Sequence, residues 1–219
     1  MNFLTTAKTT WFDDGCCDVK YLDEWDGVPV NYRPGQAVGE GWHTDRYELN
    51  LGRDTSGRLF QIAAGRLMSY QFYPEDILQH VSDFGLNERW PRPGDRIVQR
   101  IHVCTLAGRP VLDVIGMAQI ESVCDEPRRA GFRYVTVATH VEQGEWSAYV
   151  TWNEQDEVRL TVQAISRPVP EEPARNHKFI RAWQKKGHER ALAWFQKEVL
   201  HTFASMSSLK KAADCAGLS

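Results

Sequence analysis

Phe132, Tyr134 and Thr136 recur at every second position, and His140 follows at the same parity. In an extended strand alternate side chains share a face about 7 Å apart, so these four project to one side if the strand stays regular. A phenol, a hydroxyl and an imidazole among apolar neighbours suit a pocket for a mostly apolar ligand that needs a few orienting polar groups. The plainer alternative is that Tyr134 and Thr136 bond locally and His140 lies in a turn. Glu126, Glu142 and Glu145 gather around the same hairpin. An imidazole with a carboxylate within about 3 Å is a general base, which makes His140 and Glu145 the first catalytic candidates. Loop carboxylates that are simply solvated are the competing reading.

Trp146 and Trp152 share one strand parity, and Trp183 and Trp194 share one helical face. If the two faces oppose each other, they make either a packed core or the wall of a pocket. The candidate ligand-binding set is therefore Phe132, Tyr134, Thr136, His140, Trp146, Trp152 and Trp183. Arg89, Arg92, Arg96 and Arg100 cluster at one turn and strand, and Arg128, Arg129 and Arg133 at another. They would either receive a phosphate or carboxylate bidentately or cover a solvated face.

Other chemistries lack their residues. There is no phosphate-cradling GxxxxGK[ST], GxGxxG, HExxH or GxSxG, and the tripeptide Asp83-Phe84-Gly85 stands without the rest of a kinase. The five cysteines (Cys16, Cys17, Cys104, Cys124, Cys215) fit neither a disulfide nor a zinc framework, and adjacent Cys16 and Cys17 are poorly placed to chelate one zinc. All five are expected as reduced thiols in a cytoplasmic protein, with no metal and no organic cofactor.

The elements that must position these residues follow from periodicity. Tyr47 and Leu49 mark a short strand. Leu59, Ile62, Ala63, Leu67 and Tyr70 predict a helix over about 57–71. Pro74 predicts a stop and a second short helix through Ile77, Leu78 and Val81. Residues 88–95, with two prolines and a glycine, form a turn. Beyond Asp95 the period becomes two. Strands are predicted from Ile97 to Val103, over 111–122, from Gly131 to Thr139, through Trp146–Trp152 and through Val158–Ala164. Turns fall at 107–110, 126–129, 142–144 and 153–156. This is an antiparallel meander with one wet face. After the prolines of 168–173 an amphipathic helix runs over about 176–201, with Ile180, Trp183, Gly187, Ala191, Trp194 and Phe195 on its apolar stripe. Gly187 costs about 1 kcal/mol there, and close approach of helix to sheet is one reason to tolerate it.

The expected fold is thus α+β, an antiparallel curved sheet packed on a long C-terminal helix. Residues 1–42 read as an irregular leader, 43–203 as one domain and 204–219 as a flexible tail. A hydrophobic fraction of 42% supports a globular core, and eight tryptophans favour bulky packing or an apolar pocket. A net charge of −3 suggests neither nucleic acid nor an anionic membrane surface. No window is apolar enough to span a membrane, and the N-terminus is not a secretory signal.

The element order resembles the helix-grip fold of START-like domains. The residues Glu126-Pro127-Arg128-Arg129-Ala130-Gly131-Phe132-Arg133-Tyr134, Thr136, His140, Gly144-Glu145 and Ser166-Arg167-Pro168 resemble the DUF1990 family of bacteria and plants, whose activity is uncharacterised. Val135, Val137 and Trp146 stand where that family has glycine, leucine and a second glutamate. The helix-grip fold often leaves a cavity between sheet and final helix. A flat α+β sandwich with no cavity is the competing architecture, and periodicity does not separate the two. The family resemblance supports the fold expectation more than a function. Three functions remain open: binding a small, mainly apolar ligand in such a cavity, acid–base catalysis in the same cavity, or an interaction module such as a homodimer.

Overall fold

The protein, in a computed structural model, is described over residues 8–11, 18–36, 38–107 and 109–215. Five long strands run in sequence: β4 (Arg96–Leu106), β5 (Arg109–Glu126), β6 (Arg129–Thr136), β7 (Glu142–Trp152) and β8 (Glu157–Pro168). Each pairs antiparallel with the next. The early strand β2 (His43–Arg53) adds to β8, and β3 (Leu78–Ser82) closes the other edge beside β4, giving the order β2-β8-β7-β6-β5-β4-β3. Helix α2 (Arg58–Met68) and helix α4 (Ala174–Cys215) cover the concave face of this curved sheet. A short helix, α3 (Asp83–Leu86), follows β3 and is capped by Ser82 Oγ, which accepts from Gly85 N–H. This is the helix-grip arrangement.

The meander was legible because one face alternates strictly. Trp146, Ala148 and Val150 on β7 and Val158, Leu160, Val162 and Ala164 on β8 are all buried in the principal core. From α2 come Leu59, Phe60, Ala63, Leu67 and Met68, and from α4 Ile180, Ala191, Phe195 and Val199. Aromatic rings fill most of the grip: Tyr70, Phe72, Phe132, Tyr134 and Trp146 stack and tilt on one another with centroids 5.2–6.2 Å apart.

Four expectations are corrected. The segment after Pro74 is a strand, because Leu78–Ser82 finds a complete ladder on β4; its few apolar positions fit either period. The turn assigned to 142–144 lies earlier, at 137–141, and Glu142 already opens β7. Gly144 is needed for closeness, since an added Cβ would lie 2.0 Å from Ile165 O. Helix α4 does not end near 201 but continues to Cys215. Gly187 is not a point of tight approach, for a Cβ there meets nothing nearer than Ile77 Cγ2 at 4.0 Å.

The one-wet-face expectation also fails for β4 and β5. Strand β1 (Lys8–Trp11) pairs with β5, and helix α1 (Lys20–Glu24) lies over the convex side. Tyr21 and Leu22 pack there against Val98, Ile115, Met117 and Val137. Described residues of the stretch expected as an irregular leader, Lys8–Trp11 and Lys20–Glu24, thus form an outer layer. An ion cluster pins it: Arg100 reaches Asp18 at 2.5 and 2.7 Å, Asp113 at 2.9 Å and Thr10 Oγ1 at 3.2 Å, and His102 Nδ1 lies 2.7 Å from Asp113. Arg100, Asp113 and Asp18 are 2%, 2% and 7% exposed. Apart from Arg92, which is exposed and bonds Asp95 through its backbone N–H, the arginines considered for an anionic ligand are engaged by the protein's own side chains. Arg89 forks onto Asp95, and Arg96 onto Asp83 and Asp26. Arg128 and Arg129 lie over Trp152 and Tyr149, and Arg133 approaches Glu121. Cys104 and Cys124 form no disulfide, and Cys16 and Cys17 fall outside the described residues.

Removing one partner from a buried ion cluster strands the other charges, at a cost of about 3–5 kcal/mol. Arg100→Ala is expected to lower the urea midpoint accordingly, whereas Arg46→Ala, whose pair with Glu48 is exposed, leaves it unchanged. Equal midpoints for the two variants would contradict the clamp. Gly187→Ala should raise stability by about 1 kcal/mol, read from the same midpoints, because helix propensity improves without a clash.

Candidate functional site

The turn 137–141 carries the site, and an unexpected residue holds that turn. Asn31 donates through Nδ2 to Val137 O (3.1 Å) and Glu142 O (3.3 Å), and its backbone N–H donates to Thr136 O (3.0 Å). Its Oδ1 accepts from Thr136 Oγ1 at 2.6 Å, and its carbonyl accepts from Gln143 Nε2. Thr136 Oγ1 also accepts from Gly144 N–H at 2.8 Å. Thr136 thus braces the turn through Gly144 and the distant Asn31. Nothing in the local pattern around Asn31 announces this role, because every one of its partners is more than a hundred residues away.

Beneath α4, beside this turn, lies a cavity of about 70 Å³. Of the candidate residues, Tyr134, Thr136, His140, Glu145, Trp146 and Trp183 line it, with Tyr73, Gln99, Glu142, Ser166, Gln184 and His188. Phe132 and Trp152 do not reach it. Phe132 is packed among Tyr70 and Trp146, and Trp152 sits between Phe60 and Arg128. Ile77, Trp183 and Gly187 also border an outer pocket of about 170 Å³ that includes Asp76, His102, Lys186 and Arg190. The inner cavity, at about 70 Å³, holds about two waters at liquid density and falls far below the roughly 300 Å³ that drug-sized ligands fill.

Strand β6 stops at Thr136, so His140 reaches the cavity from the turn and not along the strand. Gly116 makes room for it: a Cβ there would lie 2.6 Å from His140 Cδ2. The Glu142 N–H donates to His140 Nδ1 at 3.0 Å, so the ring proton sits on Nε2, which donates to Gln99 Oε1 at 3.3 Å. Gln99 Nε2 in turn donates to Tyr70 OH at 2.5 Å. Burial lowers His140 to about 4, so it stays neutral. With one nitrogen accepting and the other donating, it has no free lone pair for a general base. Glu145 does not partner it either: its carboxylate turns toward Arg133, 4.0 Å away.

Glu142 is the carboxyl that faces the cavity. Burial pushes it up to about 7, against a bond from Ser166 Oγ at 3.2 Å that favours the ionised form. Ser166 Oγ accepts from Gln184 Nε2 at 2.8 Å, and Gln184 Oε1 accepts from Arg181, which forks onto Asp45. A chain of polar contacts thus runs from β2 through α4 and β8 to Glu142. Burial also lowers His188 to about 4. Three residues of the wall each carry a buried atom without a hydrogen-bond partner: Trp146 Nε1, His188 Nδ1 and Glu145 Oε2, the last turned toward Arg133. Such atoms are costly unless an occupant satisfies them. Among the described residues, no three His, Cys, Asp or Glu side chains converge as a metal site requires, and no helix is long and apolar enough to cross a membrane.

The raised Glu142 makes stability depend on pH. Below about 4.5 the carboxyl is protonated in both states. As pH rises from 4.5 to 7 the unfolded chain loses its proton first, so the native state loses stability, on the order of 3 kcal/mol. The two histidines act oppositely, costing stability as pH falls from 6.5 toward 4. Between pH 5 and 6.5 the two histidines outweigh Glu142, so the native protein gains stability there, and Glu142→Gln is expected to enlarge the gain between pH 5 and 8 by roughly 3 kcal/mol. Urea unfolding at both pH values checks this, and an unchanged pH 5 to pH 8 difference in the variant would exclude Glu142 as a contributor.

No curated protein matches the chain by sequence. Among solved structures, a hypothetical protein (jhp0584) from Helicobacter pylori is 13% identical with a TM-score of 0.47, covering 77% of this chain and 92% of that one. Ara h 8.0201 is 14% identical with a TM-score of 0.43, covering 74% and 99%. A major latex-like protein from Panax ginseng is 10% identical with a TM-score of 0.41, covering 74% and 97%. Residues 29–193 match DUF1990, described as a domain of unknown function. The match starts near Asn31, ahead of the 43 expected, and takes in the sheet, α2 and the cavity-lining part of α4. The chain belongs to the DUF1990 family.

Proposed function

We propose that this protein binds a small ligand in the cavity between the sheet and the C-terminal helix. The observation that carries this reading is the pair of partnerless buried nitrogens, Trp146 Nε1 and His188 Nδ1, on the wall of one cavity. Both are unsatisfied without an occupant, and an occupant that bonds to them recovers part of that cost. Ile77, Leu78, Ile101, Ala164 and the aromatic rings supply apolar walls, which suits a ligand with an apolar body and one or two polar groups. The volume restricts it to a few heavy atoms unless α4 shifts. Ile77, Trp183 and Gly187 line both this cavity and the outer pocket, which makes them the candidate route of entry.

A second reading rests on Glu142. A cavity carboxyl held near neutral pH is suited to general acid–base work. In that case Glu142 replaces His140 and Glu145 as the reacting group.

Native mass spectrometry of protein purified without added ligand tests binding. A reproducible adduct, lost when Trp146→Phe removes the indole N–H, is the expected result. An apo mass, together with unchanged thermal stability across a panel of small polar and apolar compounds, would overturn the reading. An activity abolished in Glu142→Gln with the fold retained would favour the enzyme.

A further inference from the structure

Glu142 is a cavity carboxyl without a counter-ion. It forms no ion pair among the described residues, and no Lys or Arg lines the cavity. The nearest guanidinium, Arg181, already forks onto Asp45, so that pair adds little net charge. The other titratable residues of this wall are His140 on the turn, His188 on α4, Tyr73 before β3, Tyr134 on β6 and Glu145 on β7, whose carboxyl turns toward Arg133 and is also raised by burial. Burial holds both histidines neutral and both phenols protonated at neutral pH. Every charge this wall can acquire near neutrality is therefore negative.

The rings add to that selection. Tyr73, Tyr134, Trp146 and Trp183 line the same space, and aromatic faces attract cations through their quadrupoles. An anion would be desolvated beside a carboxyl with nothing positive to receive it. A cation would supply the charge that Glu142 lacks. We infer that the ligand is a small protonated amine, with Glu142 as its counter-ion and the aromatic rings as its cage. This rests on the proposed ligand-binding role and specifies the chemistry of that site. A volume of about 70 Å³ limits the enclosed part to a short alkylammonium group. An oxygen on the ligand or a co-bound water then accepts from Trp146 Nε1–H.

The inference sets the direction of a pH effect. The amine needs ionised Glu142, so its affinity rises with pH through the carboxyl's titration. With half-ionisation near 7, binding is about tenfold tighter at pH 8 than at pH 6.

The experiment follows amide and indole N–H resonances of the full chain by NMR. Ethylammonium, its neutral isostere ethanol, and acetate are titrated at pH 6 and pH 8. Saturable shifts at the Glu142 amide and Trp146 indole are expected with ethylammonium, stronger at pH 8 and lost in Glu142→Gln. Ethanol or acetate binding as tightly at pH 8, or ethylammonium affinity that ignores pH or survives Glu142→Gln, would overturn the amine. If ethanol alone shifts the Trp146 indole, the cavity still binds a ligand and only the amine fails. If no probe shifts either resonance, the amine is rejected, and a clean apo mass then rejects the binding role too.

Discussion

Arg100 is a guanidinium with almost no exposure, held by two buried carboxylates, and the rest of the molecule depends on that clamp. Desolvating one arginine and two aspartates is expensive, and only complete pairing makes it tolerable. The pairing requires Asp18, which brings the N-terminal layer onto β4 and β5. Once docked, that layer places Tyr21 and Leu22 over the convex face and leads the chain to Asn31. Asn31 then ties down the turn from which His140 and Glu142 reach the cavity. One buried electrostatic contact on the convex side thus helps set the geometry of a site on the concave side.

The site is polar at a place where the fold is otherwise dry. Most of the grip is filled by interlocking rings, close-packed as interiors usually are. The remaining cavity combines a carboxyl, two neutral imidazoles and an indole N–H. Burial raises the carboxyl and lowers both imidazoles, so at neutral pH the imidazoles are uncharged and Glu142 is about half ionised. A packed core of hydrocarbon would be more stable. Polar groups of this kind, shifted by burial in one cavity, are what the proposed binding or acid–base role would use.

Periodicity read the concave face well. Trp146, Ala148 and Val150 alternate with polar residues because one side of β7 faces the helices, and the antiparallel hairpins on either side are short and local. It misread β3, whose ladder partner lies beyond the next turn, and placed a turn at Gly144 where two strands instead approach closely. Tyr134, Thr136, His140, Trp146 and Trp183 were placed at the cavity by parity and aromatic type, whereas Phe132 and Trp152 share that parity but lie beyond its ends. Parity tells which face a residue occupies, but not how far along the sheet a cavity extends.

By itself the sequence determined the alternation of faces, the hairpin order, the amphipathic terminal helix and the family motif. All of these are encoded in neighbours a few residues apart. Only the tertiary structure decided that Arg100 is a clamp and not an anion receptor, that Asn31 braces the site, and that Glu142, not Glu145, turns into the cavity. Those outcomes depend on partners up to more than a hundred residues away and on burial. The same side chain is a solvated charge or a shifted, functional group according to what the fold packs against it.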